Sequence, residues 1–219
     1  MSAGRRFDAA IVDLDGTMVD TLGDFVVVLG RVLVEAGLPP VTRDFIERTV
    51  GKGSEHLIRS VLAQVGAEPS LFETVWPRYQ HHYLAVNGDH APLYPGVDAG
   101  LRRLREAGLA LACVTNKPLA FTRPLLDKKG IAGHFAHVFG GESFARRKPD
   151  PLPLLEACKA LGSEPPRTLM IGDSANDALA ARAAGCPVVL VRYGYNHGEP
   201  VDRVDADAFI DRLDQLALD

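Results

Sequence analysis

Cysteine is scarce in this 219-residue sequence, which contains only Cys113, Cys158 and Cys186. No Cys-x-x-Cys pair is present, so nothing indicates a zinc site, and an odd number of cysteines does not fit a disulfide framework. We therefore expect a protein of the reducing cytoplasm rather than a disulfide-stabilised secreted one.

Excess positive charge and long apolar runs are also missing. The 24 lysines and arginines are outnumbered by 28 aspartates and glutamates, which gives a formal net charge of -4. The chain therefore has no overall attraction for nucleic acid or an anionic membrane. No apolar run reaches the ~18 residues of a membrane span, and Asp8 and Asp13 interrupt the amino-terminal segment before signal-peptide length. We expect no secretion signal, no membrane and no nucleic-acid partner, and a small anionic substrate would need a local cationic site.

The sequence does contain an alternation of buried strands and helices. Short apolar runs that end in polar or glycine-rich turns occupy residues 9–17, 109–117, 137–142, 168–174 and 187–194. Such runs are typical of parallel strands that helices cover on both faces. The predicted helices, each ending near a glycine, span residues 96–108, 118–130, 151–162 and 175–185. This pattern predicts an α/β fold with a Rossmann-like parallel sheet core and active groups at the carboxyl ends of the strands.

One long segment departs from this alternation. Between Leu22 and about Asn87, four amphipathic stretches at helical spacing are separated by short turns that contain Pro-Pro, Gly-Lys-Gly and Glu-Pro-Ser. Four such helices form a small bundle when their apolar faces meet. We therefore predict an α/β core made of residues 1–21 and 91–219, with residues 22–90 inserted as a helical-bundle cap.

A pair of carboxylates follows the first predicted strand, in Asp13-Leu14-Asp15-Gly16-Thr17. Side chains alternate along extended backbone, so Asp13 and Asp15 can share one side while Leu14 takes the other. Two carboxylates at a strand end are costly unless a cation is bound or one of them is protonated. Mg²⁺ prefers oxygen ligands of this kind together with phosphate oxygens. Taken alone, the segment fits a solvated Asp-Gly turn equally well.

Three more polar segments lie where other strands of the predicted sheet end. Thr115 and Asn116 offer donors for a phosphate, and Lys148 supplies a cation just before a helix. Asp173 and Asp177 place two more carboxylates beside the first pair. Singly, these residues are readily explained as a capping group, a surface charge and a helix N-cap. Their order at successive strand ends makes coincidence a poor explanation.

These segments together resemble the four ordered motifs of the haloacid dehalogenase superfamily. The matching residues are Asp13-x-Asp15-Gly16-Thr17, Thr115-Asn116, Lys148-Pro149 and Gly172-Asp173-x-x-x-Asp177. The resemblance extends over essentially the whole chain, including a helical cap inserted just after the first motif. Within the superfamily, residues 50–62 and 172–200 look like those of phosphoglycolate phosphatases. An aspartate two positions after the first fits phosphatases and phosphomutases, which must protonate an alkoxide, and argues against a dehalogenase.

The resemblance implies a covalent mechanism. Asp13 would attack the substrate phosphorus, and Asp15 would protonate the leaving alkoxide and then deprotonate the hydrolytic water. Thr115, with Asn116, would hold the phosphoryl oxygens. Lys148 would neutralise the phosphate and the Asp13 carboxylate.

The resemblance also implies a Mg²⁺ cofactor. Its ligands would be the carboxylates of Asp13 and Asp173 and the backbone carbonyl of Asp15. Asp177, with Asn176, would brace these ligands from behind.

Substrate choice is expected to lie in the cap, because the core motifs touch only the phosphoryl group and the metal. Lys52, in a turn flanked by Gly51 and Gly53, is the candidate partner for the carboxylate of 2-phosphoglycolate. Arg59 is a second candidate. A lysine in such a turn is as often a solvated loop residue.

The leading functional expectation is a Mg²⁺-dependent phosphatase acting on 2-phosphoglycolate, a small phosphorylated metabolite of glyoxylate metabolism, as a monomer or homodimer. One alternative is a phosphatase for a sugar phosphate, muramic acid 6-phosphate or pyrophosphate. Another is a phosphomutase related to β-phosphoglucomutase, in which a second hydroxyl accepts the phosphoryl group. A non-catalytic binding protein is a different class, and the intact Asp13, Asp15, Lys148 and Asp173 argue against it.

Overall fold

The computed structural model describes residues 6–218, so residues 1–5 and 219 of the predicted core lie outside it. The described chain forms one sheet from β1 (Ala9–Val12), β2 (Ala110–Val114), β3 (His137–Phe139), β4 (Thr168–Gly172), β5 (Val188–Val191) and β6 (Ala208–Ile210). Neighbouring strands are parallel, and their spatial order is β3-β2-β1-β4-β5-β6. The predicted α/β fold with a parallel sheet is confirmed. The carboxyl ends of β1, β2 and β4 therefore lie side by side.

Helices surround this sheet and also form a separate bundle. The described residues contain α1 (Leu22–Glu35), α2 (Arg43–Thr49), α3 (Ser54–Gln64), α4 (Phe72–Val86), α5 (Val97–Glu106), α6 (Leu119–Lys128), α7 (Leu152–Leu161) and α8 (Ala175–Ala184). Helices α5 and α6 pack on one face of the sheet, and α7 and α8 pack on the other. No helix within residues 6–218 combines the length and the apolar character needed to cross a membrane.

Burial on both faces explains why the strand sequences lack polar alternation. In β1, Ala10 and Val12 join the cluster of apolar side chains on the α5 and α6 face, whereas Ile11 joins the cluster on the α7 and α8 face. Apolar side chains are therefore favoured at every position of a central strand.

Helices α1 to α4 pack against one another in a bundle. Helix α1 packs along α4, and their apolar faces meet around Phe25, Tyr79 and Tyr83. Phe121 and Tyr195, which lie outside the bundle in sequence, join the same cluster. The bundle thus has its own core, with aromatic contacts to the sheet part of the molecule.

Two connecting segments, residues 19–21 and 87–93, join the bundle to the sheet part. The buried Asp24 carboxylate in the first turn of α1 accepts hydrogen bonds from the backbone N–H groups of Gly88 at 2.6 Å and His90 at 2.8 Å. One side chain therefore holds the start of α1 against the returning segment.

The sequence did not predict β6. This strand has only three residues, its first residue is exposed, and it pairs with β5 at the edge of the sheet. The fifth predicted strand, residues 187–194, is also shorter than expected, because β5 ends at Val191 and a turn follows.

Candidate active site

Asp13 and Asp15 lie directly beyond β1 at the carboxyl edge of the sheet. The Asp13 N–H continues the sheet by donating to the carbonyl of Ile171 in β4 at 2.9 Å. The chain then turns, and Gly16 adopts the left-handed φ of +83° that glycine tolerates best. Both carboxylates line one pocket, while Leu14 between them is buried in the core.

The ammonium of Lys148 lies between two carboxylates. The side chain is 1% exposed, and its Nζ is 2.9 Å from Asp13 Oδ1 and 2.7 Å from Asp177 Oδ1. It also donates to the carbonyl of Val114, the last residue of β2, at 2.8 Å. Burial opposes the charge, but the two carboxylates outweigh it and raise the pKa of Lys148 above its usual value. Lys148 is therefore a fixed cation next to Asp13.

The end of β4 and the start of α8 supply two further carboxylates. Asp173 accepts hydrogen bonds from the Thr17 hydroxyl at 2.8 Å and from the Tyr195 N–H at 2.6 Å. Asp177 Oδ2 accepts from the backbone N–H groups of Asp173 and Ser174, both at 3.2 Å. Ser174 and Asp177 also form the capping box of α8. Local helix capping thus fixes the position of Asp177.

The carboxylates of Asp13, Asp173 and Asp177 form a buried cluster, with one oxygen of each within 4.8 Å of the others. Burial raises the pKa of Asp13 to about 7, against the opposing effect of Lys148. Burial and then repulsion from the other two carboxylates raise the pKa of Asp173 well above its usual value. The Lys148 ammonium contacts only two of the three carboxylates, Asp13 and Asp177, so the cluster has more acidic than basic groups. Their hard oxygen donors fit a divalent cation.

Strand β2 ends beside this cluster and places Thr115 and Asn116 in the lining of the pocket, both of them buried. The side-chain amide of Asn116 donates to the carbonyls of Lys148 at 2.8 Å and Gly51 at 3.0 Å. The predicted phosphate-binding residue Asn116 therefore directs its amide protons to two backbone carbonyls. These two hydrogen bonds connect the end of β2 to the backbone of Lys148 and to the turn between α2 and α3.

The turn between α2 and α3 borders the site through Gly51. Its carbonyl accepts hydrogen bonds from Asn116 at 3.0 Å and from Asn176 at 3.3 Å. The Asn176 amide nitrogen also lies 3.2 Å from His197 Nε2, so this side chain contacts the turn and not the carboxylate cluster. Lys52, the predicted carboxylate partner, has an exposed side chain and is not among the residues that line the pocket.

The pocket lies between the sheet edge and the helical bundle. Its lining residues are Asp13, Asp15, Thr115, Asn116 and Lys117 from the sheet edge, and Phe25, Val50, Gly51, Gly53, Ser54 and Leu57 from the bundle. The Lys117 ammonium is 3.0 Å from Asp15 Oδ1 and 2.5 Å from the Tyr83 hydroxyl. A second buried lysine therefore enters the site next to Asp15.

A family model described as haloacid dehalogenase-like hydrolase matches residues 10–191. The chain belongs to this family. Among the curated relatives of this hydrolase, the phosphoglycolate phosphatase of Thiobacillus denitrificans is 42% identical, with 96% of this chain and 94% of the relative covered. The phosphoglycolate phosphatase of Nitrosospira multiformis is also 42% identical, with 94% and 92% covered. A crystal structure of a predicted phosphoglycolate phosphatase from Haemophilus somnus matches with a TM-score of 0.93 and 31% identity, over 97% of each chain.

Two features of this haloacid dehalogenase-like hydrolase were not predicted to act at the site. One is Lys117, and the other is the turn after β5, where Tyr195 donates its N–H to Asp173. The sequence contained an indication for each. Lys117 directly follows the Thr115-Asn116 pair, and the turn follows a predicted strand. Because functional groups gather at the carboxyl ends of parallel strands, every polar segment there is a candidate.

Proposed function

We propose that this chain is a Mg²⁺-dependent phosphatase that hydrolyses 2-phosphoglycolate to glycolate and phosphate through an aspartyl-phosphate on Asp13. One observation carries the proposal: the Asp13 carboxylate lies at a strand end with the Lys148 ammonium at 2.9 Å and two more carboxylates beside it. Phosphoryl transfer gains most from such positioning and charge neutralisation. The relatives named phosphoglycolate phosphatase support the choice of substrate.

In the first step, a carboxylate oxygen of Asp13 forms a bond to phosphorus as the bond from phosphorus to the glycolate oxygen breaks. Asp15, which lines the same pocket, gives its proton to the departing oxygen. Lys148 neutralises the negative charge of Asp13 and of the incoming phosphoryl group. Thr115 donates its hydroxyl to a phosphoryl oxygen.

In the second step, Asp15 takes a proton from a water molecule whose oxygen attacks phosphorus. The bond between phosphorus and Asp13 breaks, and phosphate leaves. Asp13 is again a carboxylate and Asp15 again carries a proton, so both groups return to their starting forms after one glycolate and one phosphate are released.

The metal site of the proposal uses the carboxylates of Asp13 and Asp173 and the backbone carbonyl of Asp15. When bound, Mg²⁺ supplies neutralisation of the charge on the phosphoryl oxygens. Asp177 positions the residues around this metal site. Its carboxylate accepts a hydrogen bond from the Asp173 N–H at 3.2 Å and lies 2.7 Å from the Lys148 ammonium.

The proposed cap, residues 22–90, closes the pocket over the substrate. Its apolar side chains Phe25, Val50 and Leu57 line the pocket opposite the sheet edge. Such walls exclude water that would compete for the phosphoryl group and strengthen charge interactions inside.

The choice of substrate is tested by comparing kcat/KM, with Mg²⁺ present, for 2-phosphoglycolate, muramic acid 6-phosphate, glucose phosphates and pyrophosphate. We expect a preference for 2-phosphoglycolate of more than tenfold, or about 1.4 kcal/mol. A smaller preference would contradict the proposed substrate. Transfer to a sugar hydroxyl without release of free phosphate would indicate a phosphomutase instead.

The covalent step is tested by Asp13→Asn, whose amide is a poor nucleophile. We expect kcat to fall by about 10⁴-fold, and we expect no phosphorylated protein in rapidly quenched mass spectra, in contrast to wild type. The control Asp205→Asn should hydrolyse the substrate with the wild-type kcat, since the Asp205 side chain is 82% exposed. Normal Mg²⁺-dependent hydrolysis by Asp13→Asn would rule out the covalent mechanism.

A further inference from the structure

The two buried lysines of the site serve different carboxylates. Lys148 Nζ lies 2.9 Å from Asp13 Oδ1, and Lys117 Nζ lies 3.0 Å from Asp15 Oδ1. In the proposed function, Asp13 attacks phosphorus and Asp15 protonates the leaving oxygen. The two ammonium groups therefore belong to opposite sides of the bond that breaks, with Lys148 on the phosphoryl side and Lys117 on the leaving-group side.

Surrounding aromatic rings hold Lys117 in a fixed position. Its side chain is 1% exposed, and its Nζ lies 4.8 Å from the ring centroid of Phe25 and 4.5 Å from that of Tyr83. It also donates a hydrogen bond to the Tyr83 hydroxyl at 2.5 Å. A long side chain that is already ordered loses little conformational entropy when a ligand binds to it.

The pocket offers an anionic leaving group a single cationic partner. Among the described residues that line it, Lys117 is the only one with a cationic side chain. An ammonium has three N–H donors. The Lys117 Nζ lies 3.0 Å and 3.4 Å from the two carboxylate oxygens of Asp15 and 2.5 Å from the Tyr83 hydroxyl. A ligand carboxylate in the pocket would therefore share the ammonium with Asp15 and replace the longer of its two contacts.

We infer that Lys117 selects substrates whose leaving group carries a carboxylate next to the bridging oxygen, by forming an ion pair with that carboxylate. The inference rests on the proposed function, in which Asp15 serves the bridging oxygen. In 2-phosphoglycolate one methylene separates that oxygen from the carboxylate carbon, so the carboxylate falls within reach of an ammonium 3.0 Å from Asp15. Lys52, with its exposed side chain, lies outside the pocket lining.

The test compares two substrates, 2-phosphoglycolate and 2-hydroxyethyl phosphate, which has a hydroxymethyl group in place of the carboxylate. Lys117→Met and Lys117→Gln remove the charge, and Lys159→Met removes a charge that is 71% exposed on α7. We expect the ratio of kcat/KM values for the two substrates to fall about tenfold to a hundredfold in both Lys117 variants, chiefly through KM for 2-phosphoglycolate. The ratio should not change in Lys159→Met. Because both substrates are assayed on one protein sample, any loss of folded protein cancels.

An unchanged ratio in the Lys117 variants, or an equal fall in Lys52→Met, would overturn the inference and leave the proposed function intact. A wild-type protein with no preference for 2-phosphoglycolate would overturn the proposed function and the inference with it. If the Lys117 variants turn over neither substrate, the same ratio is measured as Kd values by calorimetry in an Asp13→Asn background. A ratio of Kd values that Lys117→Met leaves unchanged overturns the inference there too.

Discussion

At the scale of single residues, Gly194 and Gly16 allow the backbone to approach the Asp173 carboxylate. A Cβ added at Gly194 would lie 2.2 Å from Asp173 Cβ, and one added at Gly16 would lie 2.2 Å from Asp173 Oδ2. Neither distance is compatible with a side chain, so Asp173 would have to move. These two glycines therefore leave the space in which the Asp173 carboxylate lies.

Gly194→Ala is expected to lower kcat/KM by about a hundredfold, because displacement of a reacting group by about 1 Å has that effect. It should also lower the free energy of unfolding by about 1–3 kcal/mol through overpacking. Steady-state kinetics and urea unfolding measure the two effects. Gly133→Ala is the matched control, since a Cβ there meets no atom within 4 Å. Full activity in Gly194→Ala would show that Asp173 tolerates displacement.

The placement of Asp13, Asp15 and Asp173 at the sheet edge could be predicted from the sequence, because these residues come just after the buried strands β1 and β4. The contacts of Asn116 and Asn176 could not be predicted from the sequence. Both side chains donate to the carbonyl of Gly51, which is 65 residues from Asn116 and 125 residues from Asn176. Lys117 was missed for a similar reason. Its burial depends on Phe25 and Tyr83, which belong to the helical bundle.

At the scale of secondary-structure elements, the length of a strand or helix determines whether it could be predicted from the sequence. The central strands β1, β2 and β4 are fully or almost fully buried, and their apolar runs mark them clearly. Strand β6 has three residues and depends on pairing with β5, so its own sequence carries no strand pattern. The helices of the bundle were predictable because their apolar faces repeat at helical spacing.

Helix α1 contains a glycine that its packing does not require. Gly30 is exposed within the helix, and a Cβ added there would meet no atom within 4 Å. We expect Gly30→Ala to raise the free energy of unfolding by about 0.5–1 kcal/mol, because alanine loses less conformational entropy in a helix. Urea unfolding measures this change.

Gly37, just beyond α1, provides the opposite case for comparison. It also has open space around it, but its φ is +67°. Gly37→Ala should therefore lower the free energy of unfolding by about 1–2 kcal/mol, since the left-handed conformation is costly for other residues. A change of the same sign in both variants would contradict this explanation.

At the scale of the whole molecule, the proposed metal site at the carboxylate cluster predicts a link between stability and metal binding. The buried carboxylates repel one another, and a cation that binds only the folded protein relieves that repulsion. Mg²⁺ at about 100 times its Kd should raise the free energy of unfolding by about 2.7 kcal/mol, or Tm by about 5–10 °C. Asp173→Asn should lose most of this increment in a thermal melt.

The exposed Asp205→Asn variant serves as the control for the metal experiment, because it changes the net charge by the same amount at a residue outside the cluster. It should keep the full Mg²⁺-dependent increase in Tm. An equal increase in Asp173→Asn would mean that Mg²⁺ stabilises the protein somewhere other than at the cluster.

Tyr195 joins the carboxylate cluster to the start of the bundle. Its N–H donates to Asp173, while its hydroxyl donates to Asp20 and accepts from the N–H of Leu22, the first residue of α1. A movement of α1 that breaks the hydroxyl contacts alters the residue that orients Asp173. Thermodynamic coupling of this kind is reciprocal. If the proposed cap closes, any factor by which closure raises the affinity of the proposed metal site is also the factor by which the bound metal would favour closure.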